Sequence, residues 1–354
     1  MKNIKTILRK IIYGAGSLKL ALFLVVILIV LSFLAIMFPQ QSEYSASEIS
    51  TWSEHNPGFA SIAGYFGLFS VFRSIPFIVV IFFFALNIFI CTILHIIELR
   101  TNAKLKNNIK LIGFIFLHFA LLGILAGGFI TTSFGMDGSI LLTEGQVFTE
   151  RADNYMKLSK GALRRKGHKN FMARLNKVEI EYEQKVLPVR VSTVLDFKKK
   201  NEEINGVKIE INHPYNFNNI EFTQDEIGYS PRMLIKDPVK KKILLNSFVA
   251  LKTFRKGDLW EYKDFLPLPF LKNMVYLTLF PDHKILDNKI IKKGELAINP
   301  VLLYEERDEK GGLISEGVLP FKGSTRIGGL LFEFHELRYW ASFKVVEDPG
   351  YLLF

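Results

Sequence analysis

The sequence predicts a membrane protein in two parts: three N-terminal transmembrane helices, then a β-rich, sandwich-like extracytoplasmic domain. Three observations carry this. Three uncharged or nearly uncharged apolar runs are each close to the roughly 20 residues that a hydrocarbon core of about 30 Å requires. Beyond about residue 132 the apolar residues alternate with polar ones, the period of a half-buried strand. The whole chain of 354 residues is 49% hydrophobic and still 22% charged, too apolar for a soluble enzyme and too charged for a pure transporter.

The first run, Leu20 to Phe38 in a span of about 18–38, follows Lys2, Lys5, Arg9, Lys10 and Lys19 and stops at Pro39. It is too long for a signal peptide, and no small-x-small cleavage site follows it. A second span is expected over 75–97 and a third over 111–132, so residues 1–132 form the membrane region and 133–354 the outer domain. Residues 1–132 hold ten Lys/Arg and four Asp/Glu, and the remainder 35 and 30. The basic residues near the spans are explained by orientation, and nucleic acid is not an expected partner. The N-terminal segment and the link from Glu98 to Lys110 are basic, whereas the 39–74 loop carries Glu43, Glu48 and Glu54 against Arg73. Positive loops stay in the cytoplasm. The N-terminus and the short link are therefore inside, and everything after Thr132 is outside the cytoplasmic (inner) membrane.

In the outer domain Val189, Val191, Thr193, Leu195 and Phe197 alternate with mostly polar neighbours, as do Val207, Ile209 and Ile211. Asn205-Gly206 reads as a turn before the second of these runs. MVYLTLF (274–280) and LLFEF (330–334) are further strands, and DEKGG (308–312) suggests a hairpin turn. Residues 158–177 show no period and read as loop or short helix. Cys91 is the only cysteine, so the chain has neither a disulfide framework nor a dithiol to cycle.

The third run holds one ionisable side chain, His118, about 10 Å along the helix from Leu111. A lone histidine at membrane depth marks a pathway, a ligand or a buried hydrogen bond. Gly123 and Gly127 form a GxxxG pair that lets another helix approach. His118 points roughly 140 to 180° away from them, toward a different helix or a ligand. Two readings stand at this point: a neutral imidazole ligating haem iron, or a histidine hydrogen-bonded to a neighbouring span. The second run carries Asn87, Cys91 and His95 at i, i+4 and i+8, with Glu98 beyond. His95 is either a second haem ligand with His118 or an interfacial histidine paired with Glu98, and Cys91 is a packing residue. His55, His168, His213, His283 and His335 make no HxH or HxxxH pair. Trp52, Trp260 and Trp340 are isolated, and Asp237 and Asp348 read as surface charges beside turn prolines. No residue is read as catalytic: there is no phosphate loop, nucleophile elbow or HExxH motif.

Several blocks resemble the ResB family, also called CcsB, the β-rich membrane partner in system II cytochrome c biogenesis. GSLKLALFLVVILIVLSFLAIMFPQ (16–40) is similar to its first span, and YFGLFSVFRSIPFIVVIFFFALNIFICT (65–92) to its second-span entry. The 111–132 run continued by SFGMDGSILLTEGQ (133–146) resembles its third span and the start of its outer domain. GVKIEINHPYNFNNIEFTQ (206–224) and FKVVEDPG (343–350) are similar to two later blocks. The resemblance implies a subunit that works with a CcsA-type membrane protein to move haem outward and join it to the CxxCH thiols of apocytochrome c. It implies a separate thiol-reducing protein, and an accessory subunit of a haem ligase rather than a complete enzyme. A membrane histidine at the head of the family's third span is a haem ligand, and it falls on His118. The family expects an arginine where His95 lies. In the family the DPG block leads into a fourth span, whereas Asp348-Pro349-Gly350 is followed here by YLLF, as a truncation or a separately encoded remainder would give. Two alternatives remain: a structural scaffold for a membrane partner without haem, and a small b-type haem electron-transfer protein using His95 and His118.

Overall fold

A computed structural model describes residues 2–44, 46–101, 109–164, 170–183, 187–200, 202–256, 259–266, 268–286 and 289–351. Six helices come first: α1 (Lys2–Ala15), α2 (Leu18–Met37), α3 (Ala46–His55), α4 (Pro57–Phe66), α5 (Ile75–Thr101) and α6 (Ile109–Phe134). Of these, α2, α5 and α6 are long and apolar enough to cross a membrane. Three membrane-spanning helices lead into a strand-rich domain, the predicted order, with the second span four residues longer than expected.

The N-terminal basic segment is itself a helix. Ile4, Ile7, Leu8, Ile11 and Ile12 recur at helical spacing with Lys2, Lys5, Arg9 and Lys10 between them, the pattern of an interfacial amphipathic helix. Ser17 accepts from Leu20 N at 3.3 Å and starts α2. Asn87 then donates to Ala15 O at 2.5 Å and Ser17 O at 3.1 Å, pinning this corner to α5. The approach is close at Gly16, where a Cβ would stand 2.9 Å from Ile90 Cγ2 and 3.1 Å from Cys91 N. The 39–74 segment is not a plain loop: α3, α4 and a short 3-10 turn (Leu68–Arg73) fold on a small core of Phe38, Ala63, Leu68 and Val71.

The strands follow in the order β1 (Met136–Thr143), β2 (Val147–Thr149), β3 (Lys157–Lys160), β4 (Met172–Glu183), β5 (Leu187–Lys199), β6 (Glu202–Glu210), β7 (Tyr215–Phe217), β8 (Ile220–Asp237) and β9 (Lys242–Phe248). Next come β10 (Lys252–Lys256), β11 (Leu259–Leu266), β12 (Met274–Phe280), β13 (Asp282–Leu286), β14 (Lys289–Gly294), β15 (Val301–Arg307), β16 (Leu313–Pro320), β17 (Ser324–Ile327) and β18 (Leu330–Glu347). All named pairings are antiparallel.

The expected sandwich-like domain is built from two fused sandwiches. The sheet β3-β1-β18-β8-β7 packs one part on the sheet β2-β4-β5-β6 and another on the sheet β10-β11-β12-β15-β16. The shared strands β8 and β18 serve both cores. Even-numbered Ile220 and Phe222 of β8 point into the first core, and odd-numbered Tyr229, Met233 and Ile235 into the second. The change of phase falls at a β-bulge, where Asp225 and Glu226 together oppose Ser342. A single extra residue reverses which parity faces inward.

Two further sequence expectations are corrected here. Residues 158–177 are neither loop nor short helix at their ends: they contain most of β3 and the start of β4, with 165–169, and so His168, outside the described residues. Asn205-Gly206 is not a turn but lies inside β6, Gly206 adopting φ +71° beside a bulge in the β5–β6 ladder. The reversal precedes it, where Lys200 has φ +51°. The DEKGG segment does join β15 to β16, with Asp308 accepting from Gly312 N at 2.7 Å.

The first core is aromatic. Phe197 is fully buried and packs its ring on Tyr215, Phe217 and Phe222 at centroid distances of 5.5, 5.0 and 4.8 Å. Phe197→Ala is expected to destabilise the outer domain by about 3–5 kcal/mol. A thermal melt of the purified protein checks it, and an unchanged midpoint refutes it.

Candidate functional site

The membrane histidine sits on a helix that is packed on one side only. Phe116, Leu117, Phe119 and Ile124 of α6 are exposed, leaving most of its surface to lipid or to partner helices. His118 itself is half-buried. Its Nδ1 lies 2.9 Å from Phe114 O, and a carbonyl oxygen only accepts, so Nδ1 carries the proton. The neutral ring then presents the lone pair of Nε2, the tautomer that a metal ligand needs, with a backbone carbonyl fixing the ring's orientation.

The ring of Phe114 joins the two membrane histidines. It lies 3.9 Å from the His118 ring and 4.7 Å from the His95 ring of α5. His95 repeats the arrangement, its Nδ1 2.8 Å from Cys91 O. The expected His95–Glu98 pair is absent among the described residues, where the contact of the ring is with the i−4 carbonyl. Cys91 Sγ stands 3.7 Å from His95 Nδ1. The antiparallel α5–α6 hairpin thus brings His118 and His95 to one layer, at one shared aromatic. No hydrogen bond joins them among the described residues. As a donor set, each imidazole fits haem iron as a single axial ligand.

Gly123 and Gly127 were expected to form a seam for another helix. Gly127 is buried, and Gly350 lies on its carbonyl. A Cβ on Gly350 would fall on Gly127 O and Thr131 Oγ1, with Gly127 C 3.1 Å away. Asp348, read from the sequence as a surface charge, accepts from Thr131 Oγ1 at 2.5 Å and from Gly350 N at 2.9 Å. The DPG block therefore returns to α6 about two turns before the helix ends, and His118 faces the α5 side.

Sequence reasoning missed the polar junction above the spans. Arg164 pairs with Glu347 and donates to Phe134 O at 2.9 Å, so a cation sits on the C-terminal carbonyls of α6. Burial lowers the pKa of the Arg73 guanidinium against the opposing charge of Asp137. Burial likewise raises that of Asp137, with Arg73 pulling it down. The remaining histidines are local: His55, His213 and His283 contact backbone carbonyls, and His335 pairs with Glu333. Among the described residues no three His, Cys, Asp or Glu converge on a metal position.

Three apolar helices, a histidine layer between two of them and a doubled β-sandwich above define a multi-pass membrane protein with a large strand-rich domain. A family model described as ResB-like matches residues 18–107 and 101–233, more than half of the chain. The chain belongs to the ResB-like family, as its blocks suggested, and so to cytochrome c-type biogenesis in general. No curated protein matches it.

Proposed function

We propose that this chain is the ResB-type subunit of a system II cytochrome c synthase, supporting transmembrane haem delivery and covalent haem attachment to apocytochrome c. The observation that carries the reading is His118: a membrane imidazole with Nδ1 held by Phe114 O and Nε2 left for a ligand. Haem is the cargo. His118 orients its Nε2 toward it, and a CcsA-type membrane protein supplies the other axial histidine and the haem-handling loop. The outer domain positions the apocytochrome or braces that loop. With one cysteine, the chain relies on a separate protein to keep the acceptor thiols reduced. The basic N-terminus and link support an orientation with both on the cytoplasmic side of the inner membrane and the β-domain extracytoplasmic.

Co-expression with the CcsA-type partner tests this. The complex should purify with haem, and His118→Ala should lower the bound haem at least tenfold while the two chains still co-purify. An unchanged Soret band and undiminished cytochrome c maturation overturn it, and leave a scaffold that binds no haem. The shared Phe114 also favours a second reading, a b-type haem held by His95 and His118 within this chain alone. That reading requires the isolated chain to bind redox-active haem and His95→Ala to abolish binding.

A further inference from the structure

A cavity of about 290 Å³ opens at the seam of the two sandwiches, lined by none of the membrane residues of the candidate site. It has room for on the order of ten water-sized groups. Its lining is apolar and aromatic, with Ile227, Tyr182, Tyr229, Tyr262, Tyr339 and Trp260 among it, and Asp225 and Glu226 also line it. The two acids are the bulge residues of β8, and both are exposed, so the local insertion that switches the strand between cores also sets them at the cavity's rim. Glu226 N is fixed there by Ser342 Oγ at 3.0 Å. Bulges of this kind re-aim side chains next to functional sites.

The direction of the hydroxyl chain sets what the cavity can recognise. Tyr229 donates to Glu295 O at 2.6 Å. Its single proton is then committed, so Tyr339 OH, 3.0 Å away, must donate to Tyr229. Tyr182 OH in turn leans on Tyr339 OH at 3.5 Å. Tyr262 donates to Glu295 Oε2 at 2.9 Å, and Thr253 to Ile227 O at 2.9 Å. Tyr229, Tyr339, Tyr262 and Thr253 have thus spent their protons on protein acceptors and offer the cavity lone pairs, and only Tyr182 keeps a proton to give. Glu295 is paired from behind with Lys292, 2.7 Å from Oε1, so the two charges of that pair compensate each other and leave those of Asp225 and Glu226 to set the sign at the cavity.

We propose that this cavity binds an organic cation: an amine or guanidinium with a short apolar or aromatic body. The committed hydroxyls take the N–H donors, the aromatic faces take the body and share the charge, and the exposed carboxylates of Asp225 and Glu226 make the rim electronegative. Two sources present this chemistry, a free amine and a basic side chain on an extended polypeptide. The proposal is independent of the haem reading.

The test uses the full chain in detergent and follows tryptophan fluorescence. Titrants are 2-phenylethylammonium, its neutral isostere 2-phenylethanol, and 3-phenylpropionate. The ammonium should bind at least tenfold more tightly than the alcohol, and the carboxylate should give no saturable signal. Asp225→Asn with Glu226→Gln should weaken the ammonium about tenfold and leave the alcohol unchanged, while Ile227→Trp should block both. A Phe-Lys dipeptide blocked at both ends, against the same peptide acetylated at the lysine, separates the sources: binding of the former alone assigns polypeptide, and binding of the free amine alone assigns a small amine. Equal affinity for amine and alcohol, indifference to the double variant, or no saturable binding by any probe overturns the proposal. Haem content of the partnered complex is unaffected either way, so failure here is distinct from failure at His118.

Discussion

Glu295→Leu is expected to destabilise the outer domain by on the order of 4 kcal/mol. The carboxylate is 1% exposed and accepts from Trp260 N at 3.0 Å, Tyr262 OH at 2.9 Å and Lys292 Nζ at 2.7 Å. Its removal leaves a largely buried ammonium without its counter-charge and orphans two further donors. At roughly 2–4 °C per kcal/mol for a domain of this size, the melting midpoint should fall by about 10 °C. The deficit should also depend on pH. Burial lowers the pKa of Lys292, and Glu295 opposes that lowering. Between the folded value and the unfolded one, the unfolded chain binds more protons, so stability rises with pH up to the ordinary lysine range. Without Glu295 the folded value drops further and the window opens at lower pH. Melts at pH 7 and pH 9.5 check this: the variant's deficit should shrink at the higher pH, and a constant deficit excludes Lys292 as its source. Adding Lys292→Met to Glu295→Leu should restore much of the loss, because the unpaired charge goes too.

The spans were legible because a bilayer demands a long uncharged run, and within 18–38, 75–97 and 111–132 only Lys19, at the very start of the first, carries a charge. The α1 helix was legible in principle, since Ile4, Ile7, Leu8, Ile11 and Ile12 carry its period, but the charges between them were read only for orientation. Strands such as β5 and β12 followed from alternation. The doubled sandwich did not, because β8 changes parity at Asp225–Glu226, and a bulge erases the period that would reveal one continuous strand. The turn assigned to Asn205-Gly206 failed for the same reason: a glycine at positive φ serves a bulge as well as a turn. At the candidate site His118 stood out by its setting alone. That Phe114 links it to His95 depends on the rotation of α5 against α6, which side-chain packing decides. The Glu295 cluster was not readable at all, since Tyr229, Trp260, Lys292 and Tyr339 are far apart in the chain and each is unremarkable locally.

Arg164→Met should loosen the outer domain from the membrane helices while leaving both sandwich cores intact. Arg164 makes two kinds of contact at once, an ion pair to Glu347 at the end of β18 and a hydrogen bond to Phe134 O at the end of α6. Both side chains are mostly buried, at 12% and 15% exposure. Removing the cation leaves a carboxylate with reduced compensation and a helix-end carbonyl short of a donor, a loss on the order of 3 kcal/mol. Backbone bonds from Gly161 N to Gly135 O and from Leu163 N to Ser133 O, each 2.9 Å, hold the same turn and limit the damage to the junction. Hydrogen exchange resolves the two regions. Amides of residues 131–138 and 159–164 should exchange about a hundredfold faster, whereas those of β5, β12 and β15 stay protected. Glu347→Gln keeps an acceptor for Arg164 and should lose less. Uniform loss of protection across both sandwiches would show instead that the domain folds only when docked on α6, and that the ion pair holds the whole fold rather than its seam.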